Sequence, residues 1–236
     1  MPDRSPSARP AARGVSLTVD VVLFTPRGTE LAVLLAPHTS TGMTSRSRAR
    51  ERVGLPSDSL RVDESLDDAA ARIARGVLGV APSLLDQAGA RGSARRQTDT
   101  SAQVTVTYFG LVPDADASAR TPTSWIPLSD LPSLSARQRD VIESAVAAMR
   151  AQVDQQPIAF RLLPAAFTLS ELQSVYELLL GRPLHKASFR RSLHASALVE
   201  ATDEWRSEGR GRPAQLFRYA PPRRRRHRRG FRFDFL

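Results

Sequence analysis

Hydrophobic and polar positions divide the chain into recognisable elements. Leu17–Phe24 and Leu31–Leu35 are apolar runs separated by Pro26-Arg27-Gly28, a turn signal, and predict a pair of strands. Val53–Leu60 is a short extended segment broken by Pro56. In Gln103–Val112, QVTVTYFGLV, Val104, Val106 and Tyr108 alternate with threonines, the period of a strand. Trp125–Leu131 reads as a short strand or turn. Helical spacing takes over at Leu66, Ala69, Ala70, Ile73 and Val77, with Ser65 and Asp68 as a capping box and Gly79 as the stop. A long helix is expected over Ser135–Val153, closed by Gln155-Gln156-Pro157. The polar stretches 36–52 and 89–103 are expected as loops. Strands and helices interleave through 17–153, which predicts an α/β domain, with a linker over 154–159.

From residue 160 the pattern changes to helix, turn, helix and hairpin. Thr168 and Glu171 form a capping box, and Phe167 and Leu172 are placed to close a hydrophobic staple. Leu172, Val175, Tyr176 and Leu179 then recur at helical spacing until Gly181 and Pro183. A second helix follows from about Lys186 to Ala197. Phe189, Leu193 and Ala197 lie on one side of it; Ala187, Ser188, Arg191 and His194 lie on the other, with Arg190 on the flank. An apolar side for the core and an Arg/His/Ser side for water suit the major groove, where arginine bonds guanine bidentately. The remaining Glu200–Tyr219 reads strand, turn, strand. Its tip, GRGRP, carries Arg210 and Arg212 and suits a basic wing along phosphates or in a minor groove. An ordinary helical pair with a solvated basic face would show the same pattern.

Charge sharpens this picture. The chain of 236 residues carries a net +10. Residues 1–155 hold 18 Arg against 17 acids, 156–220 hold 9 basic residues against 6 acids, and 221–236 hold 7 Arg against 1 acid. The excess is therefore C-terminal, where a phosphate-binding surface would be wanted. The tail PPRRRRHRRGFRFDFL is expected to add non-specific affinity for DNA. There is no cysteine, hence no disulfide or Cys-based metal site. The four histidines, His38, His185, His194 and His227, show no metal-ligand spacing. No apolar run approaches a membrane span. Residues 1–16 read as a disordered N-terminal arm on a cytoplasmic protein.

Two stretches resemble a known family. LLPAAFTLSELQSVYELLLGRPLHKASFRRSL, followed by GRPAQLFRY, closely resembles the C-terminal winged helix of the Nudix-related transcriptional regulators of NAD metabolism, the NrtR family. The parts FTLSELQ, VYE, FRR and GRPA carry the match. Leu55–Val80, LPSDSLRVDESLDDAAARIARGVLGV, resembles the Nudix box, the strand-loop-helix signature of hydrolases that cleave nucleoside diphosphates linked to another moiety. Glu64 falls on the early glutamate of that pattern, Arg72 on its arginine, Gly79 on its late glycine and Val80 on its final apolar residue. Asp58 replaces the first glycine, and Ile73, Gly76 and Val77 occupy the three downstream acidic positions.

Pyrophosphate hydrolysis needs Mg²⁺ held by hard oxygen ligands, which Ile, Gly and Val side chains do not offer. Asp67 and Asp68 stand in the first helical turn, where capping suits them. The resemblance thus implies a two-domain regulator. A non-catalytic Nudix-like α/β/α sandwich (17–153) senses a metabolite, ADP-ribose or a related nucleotide. A winged helix-turn-helix (160–220) binds double-stranded DNA, and an Arg-rich tail (221–236) follows. No cofactor, metal or catalytic residue is expected. Lys186, Ser188, Arg190, Arg191 and His194 are the candidate recognition residues, with Arg210 and Arg212 on the wing. Glu64 and Arg72 are candidate ligand contacts, and their eight-residue separation also lets them meet as a structural pair. The family's acidic/His motif would be sought in LSARQRDVI, where Ala136, Arg137 and Gln138 stand instead. One recognition helix reads few base pairs, so a homodimeric repressor on a pseudo-palindromic operator is expected. The rival readings are a Nudix-type pyrophosphohydrolase with an accessory nucleic-acid module, and a constitutive DNA-binding protein whose Nudix-like domain only dimerises.

Overall fold

The first apolar run forms strand β1 (Val15–Arg27), which turns at Gly28 into β2 (Glu30–Pro37). Gly28 adopts φ +60°, and the pairing closes at Arg27 opposite Glu30, a two-residue hairpin that favours a residue free to take positive φ. The computed structural model describes residues 15–37, 53–93, 102–114, 117, 123–207 and 213–220. β1 is the centre of a mixed sheet. β6 (Ala102–Leu111) runs parallel to it from Val15 opposite Ala102 to Phe24 opposite Leu111. On its other edge β4 (Ser57–Ser59) pairs at Asp20 opposite Ser57. β3 (Val53–Gly54) and β7 (Ser124–Pro127) flank β2, and β5 (Leu84–Ser93) closes the far side against β6.

Period-two alternation decides which side chains meet which helix. Val19, Val21, Leu23, Val106 and Tyr108 face α1 (Leu66–Leu78), which buries Ala69, Ala70, Ile73, Ala74 and Leu78 against them. Val22, Phe24, Phe109 and Leu111 face α2 (Ala136–Val153) and its buried stripe Val141, Ile142, Ala145, Met149 and Val153. The result is the α/β/α sandwich that the resemblance implied. Both helices start where expected. Ser65 caps α1 by accepting from the Asp68 N–H at 3.1 Å, and Gly79 ends it in the left-handed region. Only half of that capping box forms, since the Asp68 carboxylate accepts from the Ser65 hydroxyl at 2.7 Å rather than from its backbone.

One expectation needs correction. Residues 89–93, expected as the start of a loop, belong to β5. Leu84–Ser93 has no clean alternation and carries Gly89 and Gly92, so its sequence does not look like a strand. It is nevertheless held by β6 along its whole length, with a register shift between Gln87 and Gly89 that interrupts the pairing.

After α2 a turn leads into a 3-10 turn at Ile158–Leu162, which buries Ile158, Ala159, Phe160 and Leu162. Then come α3 (Leu169–Leu180), α4 (Lys186–Ser196), β8 (Val199–Arg206) and β9 (Ala214–Tyr219). A single hydrophobic cluster runs from Val22 and Phe109 under α2 through Phe160 and Phe167 to Leu172, Phe189 and Leu198. The two units therefore share apolar packing rather than hanging on a free tether.

Candidate DNA-binding face and ligand-sensing region

α3 is the support of the C-terminal unit. Its capping box is complete: the Glu171 N–H donates to Thr168 Oγ1 at 3.1 Å, and the Thr168 N–H donates to Glu171 Oε2 at 2.6 Å. Leu172, Val175, Tyr176 and Leu179 are buried, as their spacing predicts. The Tyr176 ring meets Phe189 of α4 edge-on at 5.6 Å, which fixes the second helix on the first. Burial also pushes the Tyr176 phenol well above its ordinary pKa, so it stays neutral. The turn between the helices is braced by the last residues of the FTLSELQ and VYE motifs, Gln173 and Glu177. Glu177 Oε1 accepts from the Leu184 N–H at 2.8 Å, and Gln173 Nε2 donates to the Leu184 carbonyl at 3.1 Å.

This brace presents α4 as expected. Phe189 and Leu193 are fully buried beneath it. Lys186, Ala187, Ser188, Arg190, Arg191 and His194 are all exposed. Among the described residues no carboxylate pairs with Lys186, Arg190 or Arg191. Ser188 Oγ lies 3.2 Å from His185 Nδ1, a contact at the very start of the helix. β8 and β9 form the hairpin read as a wing, and Phe167 adds a bridge to Phe217 through bonds of 2.9 and 2.8 Å. Arg206 ties the hairpin to α3 by donating to Glu171 Oε1 at 2.6 Å and to the Ala166 carbonyl at 3.2 Å. Arg210 and Arg212, expected at the wing tip, lie outside the described residues, as do the arm through residue 14 and the tail from 221.

In the N-terminal unit Glu64 and Arg72 do meet. Arg72 Nε donates to Glu64 Oε1 at 2.7 Å and Nη2 to Oε2 at 2.9 Å, a bidentate pair. Arg72 Nη1 also reaches Asp58 Oδ2 at 2.6 Å, and Nη2 the Ser59 carbonyl at 3.2 Å. All three guanidinium nitrogens are thus committed to β4 and the loop that follows it. These hydrogen bonds from Arg72 hold the Asp58 and Glu64 carboxyls below their usual pKa, and the two carboxylates raise that of Arg72. Beside the pair opens a cavity of about 380 Å³, lined by Leu55, Ser57, Arg61, Ile73, Gly76 and Val77 among others. Asp68 accepts from the hydroxyl of the cap residue Ser65, and Asp67 accepts from the Tyr108 hydroxyl. Burial, helped by that carboxylate, raises the Tyr108 pKa and keeps it a donor. No group of three or more acidic or histidine side chains able to hold a metal stands together among the described residues.

Sequence reasoning passed over Asp20. It is 1 % exposed, on the α2 face of β1. Its Oδ1 accepts from the Ser57 hydroxyl at 2.6 Å and its Oδ2 from Arg137 Nη2 at 2.8 Å. The signal was present: an aspartate inside the apolar run LTVDVVLF must find a partner if that run is buried. Its partner is Arg137, which stands where the family's acidic/His motif was sought.

The comparisons agree with this architecture. The family model of the NrtR DNA-binding winged helix domain matches residues 159–219. The chain is 30% identical over 212 residues to the ADPR responsive transcriptional repressor NtrR of Acinetobacter baylyi, covering 86% of this chain and 82% of the relative. It belongs to the NrtR family. Among solved structures, NrtR of Shewanella oneidensis complexed with a 27mer DNA superposes with a TM-score of 0.71 at 31% identity, over 87% of this chain and 94% of that one. A MutT/nudix family protein from Enterococcus faecalis matches at TM-score 0.66 and 18% identity over 89% of each chain, and shows the fold alone. As a member of the NrtR family, the chain is a DNA-binding transcriptional regulator with a Nudix-like domain and a winged helix.

Proposed function

We propose that this NrtR-family chain is a repressor whose non-catalytic Nudix-like domain, over about 17–153, binds ADP-ribose or a related nucleotide. The winged helix, over about 160–220, releases the operator in response. The observation that carries the DNA half is α4: a helix with two fully buried apolar anchors whose exposed side holds Lys186, Ser188, Arg190, Arg191 and His194. Arg190 and Arg191 supply the forked donors that read guanine or clasp phosphate. Arg210 and Arg212 of the wing add phosphate contacts. The effector follows from the relative in Acinetobacter baylyi, which is described as ADPR responsive. A homodimer on a pseudo-palindromic operator supplies the selectivity that a single helix lacks. Linkage then requires that the nucleotide favour a form of the protein that fits the operator poorly. Working on chromosomal DNA, the protein acts in the cytoplasm.

Sensing without hydrolysis fits the box. Ile73 is buried, Gly76 has no side chain and Val77 is apolar, so these positions offer no oxygen to a divalent cation. The nearby carboxylates Glu64 and Asp58 are already bonded to Arg72. The residues present do not fit the Mg²⁺ that Nudix hydrolases use. Arg72 and Glu64 act on the ligand through the loop they hold, with the adjoining cavity as their outlet. The test is fluorescence anisotropy of labelled operator DNA, titrated with ADP-ribose at fixed salt with Mg²⁺ present, and chromatography of the nucleotide afterwards. Release of DNA with the nucleotide intact is expected. Release accompanied by AMP would restore the hydrolase reading, and binding indifferent to ADP-ribose would remove this effector.

A further inference from the structure

The α2 face of the sheet changes character along β1 and β6. At one end Val22, Phe24, Phe109 and Leu111 are buried in the shared apolar cluster. Further along, the same face carries Thr18, Asp20, Thr105 and Thr107, paired across the two strands in that register. A carboxylate as deeply buried as Asp20 is costly without a partner. Its charged partner is Arg137 in the first turn of α2, which also donates to Thr105 Oγ1 at 3.2 Å. The two halves of this pair are unlike. The Asp20 side chain is 2% exposed and the Arg137 side chain 53% exposed. Only Nη2 of Arg137 bonds to described residues, which leaves the Nε and Nη1 donors of this half-exposed side chain without a partner among them. Arg72 offers a contrast within the same domain, with every nitrogen committed.

Resting on the nucleotide-sensing reading, we propose that Arg137 is the phosphate contact for the effector. Its remaining N–H groups take oxygens of a nucleoside diphosphate, while Asp20 and Thr105 hold the guanidinium from behind. An arginine braced on one side and open on the other is pre-oriented for such a ligand. Its place on α2 gives the contact a route to DNA. The far end of α2 carries Met149 and Val153 into the cluster shared with α3. There Arg150 Nε donates to the Leu179 carbonyl at 3.4 Å, and its guanidinium packs on Gly181, where a Cβ would collide with it. Gly181 begins the turn into α4. A ligand that draws Arg137 outward pulls on the helix that holds this turn.

The experiment is calorimetric titration of the full-length protein and its Arg137→Gln variant with ADP-ribose, ADP and inorganic pyrophosphate in EDTA-containing buffer. Melting curves and nucleotide-free operator affinity are measured on the same preparations. The expected result is at least a tenfold loss of diphosphate affinity in the variant, with operator affinity within twofold of the parent. Equal affinity in both proteins would overturn the proposal and leave the effector reading intact. Binding of ADP or pyrophosphate but not ADP-ribose, lost in the variant, would uphold the Arg137 contact and remove ADP-ribose as effector. Failure of the parent protein to bind any of the three would overturn both. Should Arg137→Gln melt early, Arg137→Lys carries the test. An ammonium still faces Asp20 but cannot fork onto a diphosphate, so affinity should fall severalfold at near-parental Tm; unchanged affinity would overturn the proposal.

Discussion

Arginine is put to opposite uses in the two units. On α1, Arg72 is clasped by Glu64, Asp58 and a backbone carbonyl, and each of its guanidinium nitrogens is engaged. On α4, Arg190 and Arg191 stand exposed with no carboxylate among the described residues beside them. A composition count treats these residues alike, but their surroundings do not. Where acids surround an arginine, it fixes backbone; where they are missing, its charge is free for a polyanion. The wing strand β8 makes the same point from the other side, since Glu200, Asp203 and Glu204 are all exposed on it. Exposed basic side chains with no carboxylate beside them among the described residues thus stand on α4, whereas β8 presents acids.

The largest effect should come from the anchor under the free arginines. Phe189 is fully buried, so Phe189→Ala should cost about 3–5 kcal/mol of stability. Denaturant unfolding should show it, with specific operator binding lost as well; intact binding would mean that α4 does not depend on its packing. Arg191→Ala should lower operator affinity by about 1–3 kcal/mol if it reads a base, and leave random DNA less affected. An unchanged ratio between the two DNAs would remove Arg191 from base reading.

Arg72→Ala should show the reverse profile, a lower Tm with little change in DNA binding by the nucleotide-free protein. The pH dependence has a definite sign. Asp58 and Glu64 have lowered pKa values in the fold, so the stability they contribute is present above their unfolded values and lost as pH falls through the lowered ones. The gap in Tm between parent and variant should therefore be full near neutrality and shrink below about pH 4. A gap independent of pH would contradict the ion-pair account. The smallest effect is expected from deleting 221–236, which should flatten the dependence of DNA affinity on salt. An unchanged slope would mean that the tail does not touch phosphates.

Much of this molecule was legible in its sequence because local signals and packing agree. Ser65, Ser135 and Thr168 each begin a helix, and Gly79 and Gly181 each end one. The two faces of α4 followed from spacing, except at Ala197, expected on the buried side with Phe189 and Leu193 but found exposed as the left-handed cap that ends the helix. What escaped was set by neighbours distant in the chain. β5 is an edge strand interrupted at Gly89 that owes its form to β6. Asp20 acquires its partner 117 positions away, across the sheet and onto α2. Asp58, noted only as a departure from a glycine, turns out to be a second anchor for Arg72. Glu177 and Gln173 stand in the motifs VYE and FTLSELQ that carry the family match, but spacing alone does not tell that they fix the turn that presents α4.

The most direct test of the account is the ratio of operator to random-DNA affinity, measured at one salt concentration with and without saturating ADP-ribose. Coupling between the two units predicts that the ratio falls sharply with nucleotide, while weak binding to random DNA persists. A ratio that stays the same with nucleotide bound would contradict it, and would leave a DNA-binding protein whose Nudix-like domain does not govern its hold on the operator.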